Sequence, residues 1–102
     1  MSEYIMLTRL SPNAAHLPMT LETLEKEIAT QIRAQCPGVK WVHNYAILGP
    51  YDYLDIFCAP EDDDAFKVAT IVRSYGHAST EIWSAKEWQQ FKALIRELPD
   101  RE

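Results

Sequence analysis

An α+β domain on an antiparallel sheet is what this 102-residue sequence predicts. Three observations predict it. Runs suited to a pleated surface alternate with stretches whose apolar residues fall at helical spacing. The order of these segments is β-α-β-β-α-β with one further helix, the split-βαβ, ferredoxin-like plan. The length admits a single core, because two halves would each be too small for burial to offset chain entropy, so residues 1–102 form one domain.

Tyr4 to Leu10 is the first strand, carrying Tyr4, Ile5, Leu7 and Thr8. Ser11 to Pro18, with two prolines, Asn13 and His16, reads as a loop. Thr20 is the expected N-cap of the first helix, with Glu22 in its first turn. Leu21, Leu24, Ile28 and Ile32 form its apolar stripe, and Cys36-Pro37-Gly38 stops it. Val39 to Leu48 and Tyr51 to Cys58 are two strand-like runs separated by Gly49-Pro50, a hairpin signal. Ala59-Pro60 ends the second run. Asp62, Asp63 and Asp64 then open a second helix at its positive end, and Gly76 closes it. His77 to Ser84 is the fourth strand. Ser84-Ala85-Lys86-Glu87 has the form of a capping box, and Trp88, Phe91, Leu94, Ile95 and Leu98 are the stripe of a last helix that Pro99 closes.

Composition narrows the function. Apolar residues make up 47% and charged residues 25%, an ordinary globular balance. Ten Lys+Arg against fifteen Asp+Glu give a net charge of −5, which speaks against nucleic acid as a partner, since phosphate affinity comes from clustered Lys and Arg. No apolar run reaches the roughly 18 residues of a membrane span, and Glu3, Arg9, Pro12, Asn13 and Pro18 break the opening segment where a signal peptide would lie. Cys36 and Cys58 lack CxxC spacing and read as reduced thiols of a cytoplasmic protein. Eleven aromatics are more than so small a chain readily buries.

Strand parity assigns those aromatics to faces. Both crossover helices of the expected fold cover the same side of the sheet. Placing Leu54, Ile56 and Cys58 under them, with Val42, Ala46, Leu48, Ala78, Thr80 and Ile82, sends Trp41, His43, Tyr45, Tyr53, Asp55, Phe57, Glu81 and Trp83 to the helix-free face. This assignment needs an odd-length hairpin loop or a bulge, because a strict two-residue turn at Gly49-Pro50 pairs Leu48 with Tyr51 and flips one strand. An aromatic face of this size calls for a second subunit, so a homodimer or larger homo-oligomer formed sheet on sheet is expected.

Gly49-Pro50-Tyr51-Asp52, then Ala59-Pro60-Glu61-Asp62, Gly76, Thr80-Glu81 and Ala85 resemble the GYD-domain family over nearly the whole chain. The resemblance implies a ferredoxin-like domain that forms a dimeric α/β barrel and has a largely uncharacterised biochemistry. It also implies similarity to two functional classes. One comprises cofactor-free small enzymes such as antibiotic-biosynthesis-type monooxygenases and muconolactone isomerases. The other is the amino-acid-sensing domain of Lrp/AsnC-type regulators, whose DNA-binding helix-turn-helix this chain lacks. Ser11 to Pro18 also departs from the Gly-containing segment that usually follows the first strand of the family.

His43 with Asp55, Tyr45 and Glu81 is the one constellation with acid–base potential, His43 and Asp55 being the candidate catalytic pair. Trp41, Tyr45, Tyr51, Asp52, Tyr53 and Glu81 are the candidate ligand-binding residues of a pocket at the dimer face. Tyr51 and Asp52 have a structural reading beside the functional one, as turn residues accepting hydrogen bonds from loop amides. His16, His43 and His77 have no metal-ligand spacing, Glu61 to Asp64 suits a helix N-terminus, and three glycines form no phosphate loop, so neither metal nor cofactor is expected. Three functions stay open: a small-molecule-binding or accessory protein taking a small organic acid or an aromatic ligand, a cofactor-independent enzyme using His43, and a purely structural oligomer.

Overall fold

A computed structural model describes residues 1–12 and 18–100. Asn13 and His16 of the expected first loop therefore lie outside the described residues. The elements are β1 (Ser2–Leu10), α1 (Pro18–Gln35), β2 (Lys40–Ala46), β3 (Tyr53–Ala59), α2 (Asp62–Ser74), β4 (Ala78–Ala85) and α3 (Trp88–Arg96). The strands form one sheet in the order β2-β3-β1-β4, with every neighbouring pair antiparallel. This is the ferredoxin-like arrangement that the element order predicts.

Element ends follow local chemistry. Helix α1 begins at Pro18, two residues before the expected cap at Thr20, where proline's missing N–H costs nothing and its fixed φ suits the first turn. Helix α2 starts at Asp62 with three aspartates in its first turn, and Gly76, at φ 74°, supplies the left-handed residue after its end. The expected capping box on Ser84 is not used. Ser84 stays in β4, opposite Tyr4, and the cap is Glu87, whose carboxylate accepts from the Gln90 amide at 3.0 Å. An extended strand cannot end and a helix begin on the same residue, so the cap moves past the strand.

The core lies between the sheet and helices α1 and α2. Tyr4, Met6, Phe57 and Ala59 from the sheet meet Ile32, Cys36, Ala65, Val68 and Val72 from the helical layer. Phe57 is wholly buried, its ring 5.3 Å from that of Tyr4 and 5.3 Å from that of Trp41. Thr8 and Thr80 are the buried polar residues of this layer. They face each other across β1 and β4, and the Thr80 hydroxyl donates to the Leu7 carbonyl at 3.1 Å, so neither carries an unmet hydrogen bond into the core.

The faces of β3 are the reverse of those expected. Ala46 pairs with Tyr53, Tyr45 with Leu54, Asn44 with Asp55 and His43 with Ile56, which is the register of a strict hairpin. The bulge falls at the far end of β2, between Trp41 and His43, and from there Trp41 pairs with Phe57. Trp41, Tyr53, Asp55 and Phe57 consequently turn towards the helices, while Leu54, Ile56 and Cys58 turn away. The physical reason is size. The wedge between sheet and helices needs large rings to fill it, and Phe57, stacked on Tyr4 and tilted against Trp41, fills it better than Ile56 could. The expected faces of β4 are observed, with Ala78, Thr80 and Ile82 towards the helices and Glu81 and Trp83 away.

The helix-free face is thus aliphatic at its centre. Ile5 and Leu7 of β1 lie beside Leu54 and Ile56 of β3, with Trp83 and Tyr45 exposed around them. Among the described residues no helix is long and apolar enough to cross a membrane.

Candidate functional site

The residues expected to form one site fall into three places. His43 and Tyr45 lie on the helix-free face, their rings stacked 5.8 Å apart. Asp55 is on the opposite side of the sheet, because His43 pairs with Ile56 and successive strand residues point oppositely. Within one chain the His43–Asp55 pair is therefore not assembled.

Tyr51, Asp52 and Glu81 meet at the hairpin end. Gly49 has φ 151°, a value that L side chains rarely adopt, and it lets the chain turn sharply after Leu48. Asp52 then ties the loop to the sheet. Its carboxylate accepts from the Leu10 amide at 2.8 Å, its own amide donates to the Thr8 carbonyl at 2.8 Å, and its carbonyl accepts from Ile47 at 2.9 Å. Arg9 donates to the Pro50 carbonyl at 2.7 Å, and its guanidinium sits 5.0 Å from the Tyr51 ring centroid. The Tyr51 hydroxyl donates to Glu81 on β4, a bond that pushes the phenol above its ordinary range. These contacts lock the β2–β3 loop over the end of β1 and onto β4. The carboxylate of Asp52 is engaged in holding the fold.

A third group lines a cavity of about 520 Å³ between α1 and the helix-facing side of the sheet. It arises because α1 packs chiefly on α2 and stands off the strands. The walls are apolar: Met6, Leu10, Leu24, Ile28, Ile32 and Trp41. The polar lining is Thr8, Asn44, Tyr53 and Asp55, with Glu22 and Glu25 of α1. Asn44 Nδ2 donates to Asp55 Oδ1 at 2.7 Å. Burial pushes the Asp55 carboxyl up from its ordinary value, the Asn44 hydrogen bond pulls it back in part, and the charge of Glu25 adds to the rise. Burial also raises the Tyr53 phenol, helped by the charges of Asp52, Glu25 and Asp55. Among the described residues no Lys, Arg or His lines this cavity.

Strand parity read one residue out of register on β3 conceals this place: it marks Tyr53, Asp55 and Trp41 as site candidates but sets them on the other side of the sheet. Asn44, Glu22 and Glu25 are not among the sequence candidates. The signal for Asn44 is its place one residue from His43 on a strand whose parity a bulge changes. Glu22, expected in the first turn of α1, and Glu25 are exposed residues that also line the cavity, because the standing-off of α1 has no mark in the helical pattern.

The elevated Asp55 carboxyl has a consequence for stability. A carboxyl raised in the folded state favours folding when protonated, so it subtracts stability as pH climbs through and above the carboxylate range. Asp55→Asn should therefore raise the thermal midpoint at pH 7 and leave it unchanged near pH ~3, where the ordinary carboxyl is already protonated. Scanning calorimetry at the two pH values checks this, and a lower midpoint at pH 7 would contradict it.

A four-stranded antiparallel sheet carrying two crossover helices on one face defines a ferredoxin-like α+β domain. Solved structures share it. A protein of Thermus thermophilus, TTHA0845, superposes with a TM-score of 0.59 at 22% identity, over 85% of this chain and 95% of that one. The Arabidopsis thaliana protein At3g17210 gives 0.55 at 13% identity, over 85% and 95%. At these identities the likeness is one of fold. No curated protein matches the chain. The GYD domain family profile matches residues 4–95, and the chain belongs to that family.

Proposed function

We propose that this GYD-domain protein is a homo-oligomeric small-molecule-binding protein, and that its ligand occupies the cavity between α1 and the sheet. The observation that carries the reading is the lining: an apolar chamber of ligand-sized volume with Asp55, Asn44 and Tyr53 on one wall and Glu22 and Glu25 on another. Among the described residues no cation lines the cavity beside Asp55 and Glu25, Glu22 pairing with Lys26 at 3.9 Å on the exposed side of α1. Carboxylates so placed repel an anion, so the chamber favours an aromatic or aliphatic body bearing a neutral or positively charged hydrogen-bond donor over a small organic acid. Asp55, held by Asn44, is the acceptor for that donor, and Trp41 supplies a ring wall. Association rests on the aliphatic helix-free face, which water would otherwise cover.

Benzylamine, benzyl alcohol and benzoate, matched in body and different in charge, test the ligand class by thermal shift at pH 7. Saturable stabilisation by the amine or the alcohol, with none by benzoate, is expected. Asp55→Asn should remove the advantage of the amine over the alcohol. Stabilisation by benzoate equal to that by the amine would overturn the charge argument, and no saturable shift with any of the three would overturn the aromatic-body reading.

A further inference from the structure

Helix α3 has an apolar stripe and, among the described residues, nothing to pack it on. Trp88, Phe91, Leu94, Ile95 and Leu98 are all exposed, Trp88 at 61%, and no residue of the helix is buried. No other described element packs substantially against it. Only Lys86 and Glu87 join it to β4, and it extends from the end of the sheet instead of folding back onto it. The molecule is accordingly long, 58 × 31 × 18 Å, with a radius of gyration of 16.1 Å where a compact chain of this length has about 13 Å.

A nine-residue helix cannot hold itself in water, since isolated helices shorter than about 12–15 residues are marginal. A surface must therefore order it. The chain itself has a second uncovered apolar surface, the helix-free face of the sheet, whose exposed Trp83 lies only five residues before Trp88. Two unpaired apolar surfaces joined by a short link are satisfied together when two copies exchange them about a twofold axis, which closes the assembly. Charge allows it. Lys86, Lys92 and Arg96 balance Glu87, Glu97 and Asp100, so this arm is neutral and adds no repulsion between copies of a chain that as a whole carries −5. That same net charge opposes docking on an anionic membrane surface.

We propose that α3 is an exchanged arm whose Trp88–Leu98 stripe packs on a second copy of this chain, extending the contact made by the helix-free sheet face. The inference rests on the homo-oligomer reading above. Its test compares the full chain with a Trp88→Ala, Phe91→Ala, Leu94→Ala variant by light scattering coupled to size exclusion, across a concentration series. Circular dichroism confirms that the sheet is retained, as it should be when the replaced side chains, of which Trp88 and Phe91 meet each other within α3, pack on no described strand. The expected result is a dimeric or larger wild type and a variant whose dissociation constant rises about a hundredfold or more. A variant that associates as tightly as wild type overturns the arm and leaves the homo-oligomer reading intact. A monomeric wild type overturns both. Binding of the wild type, but not the variant, to phosphatidylcholine–phosphatidylserine vesicles with no self-association would assign the stripe to a lipid surface instead.

Discussion

Phe57→Ala should lower the unfolding free energy by about 3–5 kcal/mol, enough to unfold a marginal domain of this size. The ring is wholly buried and touches Tyr4 on one side and Trp41 on the other, so its removal leaves a void between two rigid rings. Backbone pairing with Tyr4 and Trp41 on both flanks holds those rings in place and limits collapse into the gap. Urea denaturation followed by tryptophan fluorescence gives the value. A loss below about 1.5 kcal/mol would mean that the neighbouring rings close over the space.

Asp52→Ala should cost about 1–3 kcal/mol, the second-largest effect of a single change, through loss of the acceptor for the Leu10 amide. The loop then loses its side-chain tie to β1, leaving the Thr8 and Ile47 backbone bonds and the Arg9–Pro50 contact. Asp52→Asn keeps an acceptor oxygen and should lose less than half as much. Chemical denaturation of the two variants side by side decides the matter. Equal losses would place the effect in the charge of Asp52 rather than in its hydrogen bond.

Much of the fold is legible along the chain because local rules act there. Gly76 at positive φ, aspartates at the start of α2, and the apolar spacing of α1 are all set by residues within a few turns of each other. The site is less legible. The parity of β3 depends on which large side chains fill a wedge between layers, and the alternation Tyr53, Asp55, Phe57 against Leu54, Ile56, Cys58 has no unique reading when both sheet faces are apolar. A single bulge at Val42 separates Trp41 from His43 by face, and no motif marks it. The candidate residues Tyr53, Asp55 and Trp41 are thus identifiable by chemistry, whereas their neighbours are set by strand pairing and by packing between layers. The cavity beside them depends on α1 packing on α2 and standing off the strands, which is a tertiary property.

The bulge also bears on how this chain avoids disorderly assembly. It lies on β2, an edge of the sheet, next to Lys40. An edge that twists out of plane and presents a charge is a poor template for a further strand, so lateral growth of the sheet is discouraged on that side. The face-to-face pairing proposed above would then meet less competition from strand addition at the β2 edge, and a pairing of broad faces closes at a fixed copy number instead of propagating as a fibre.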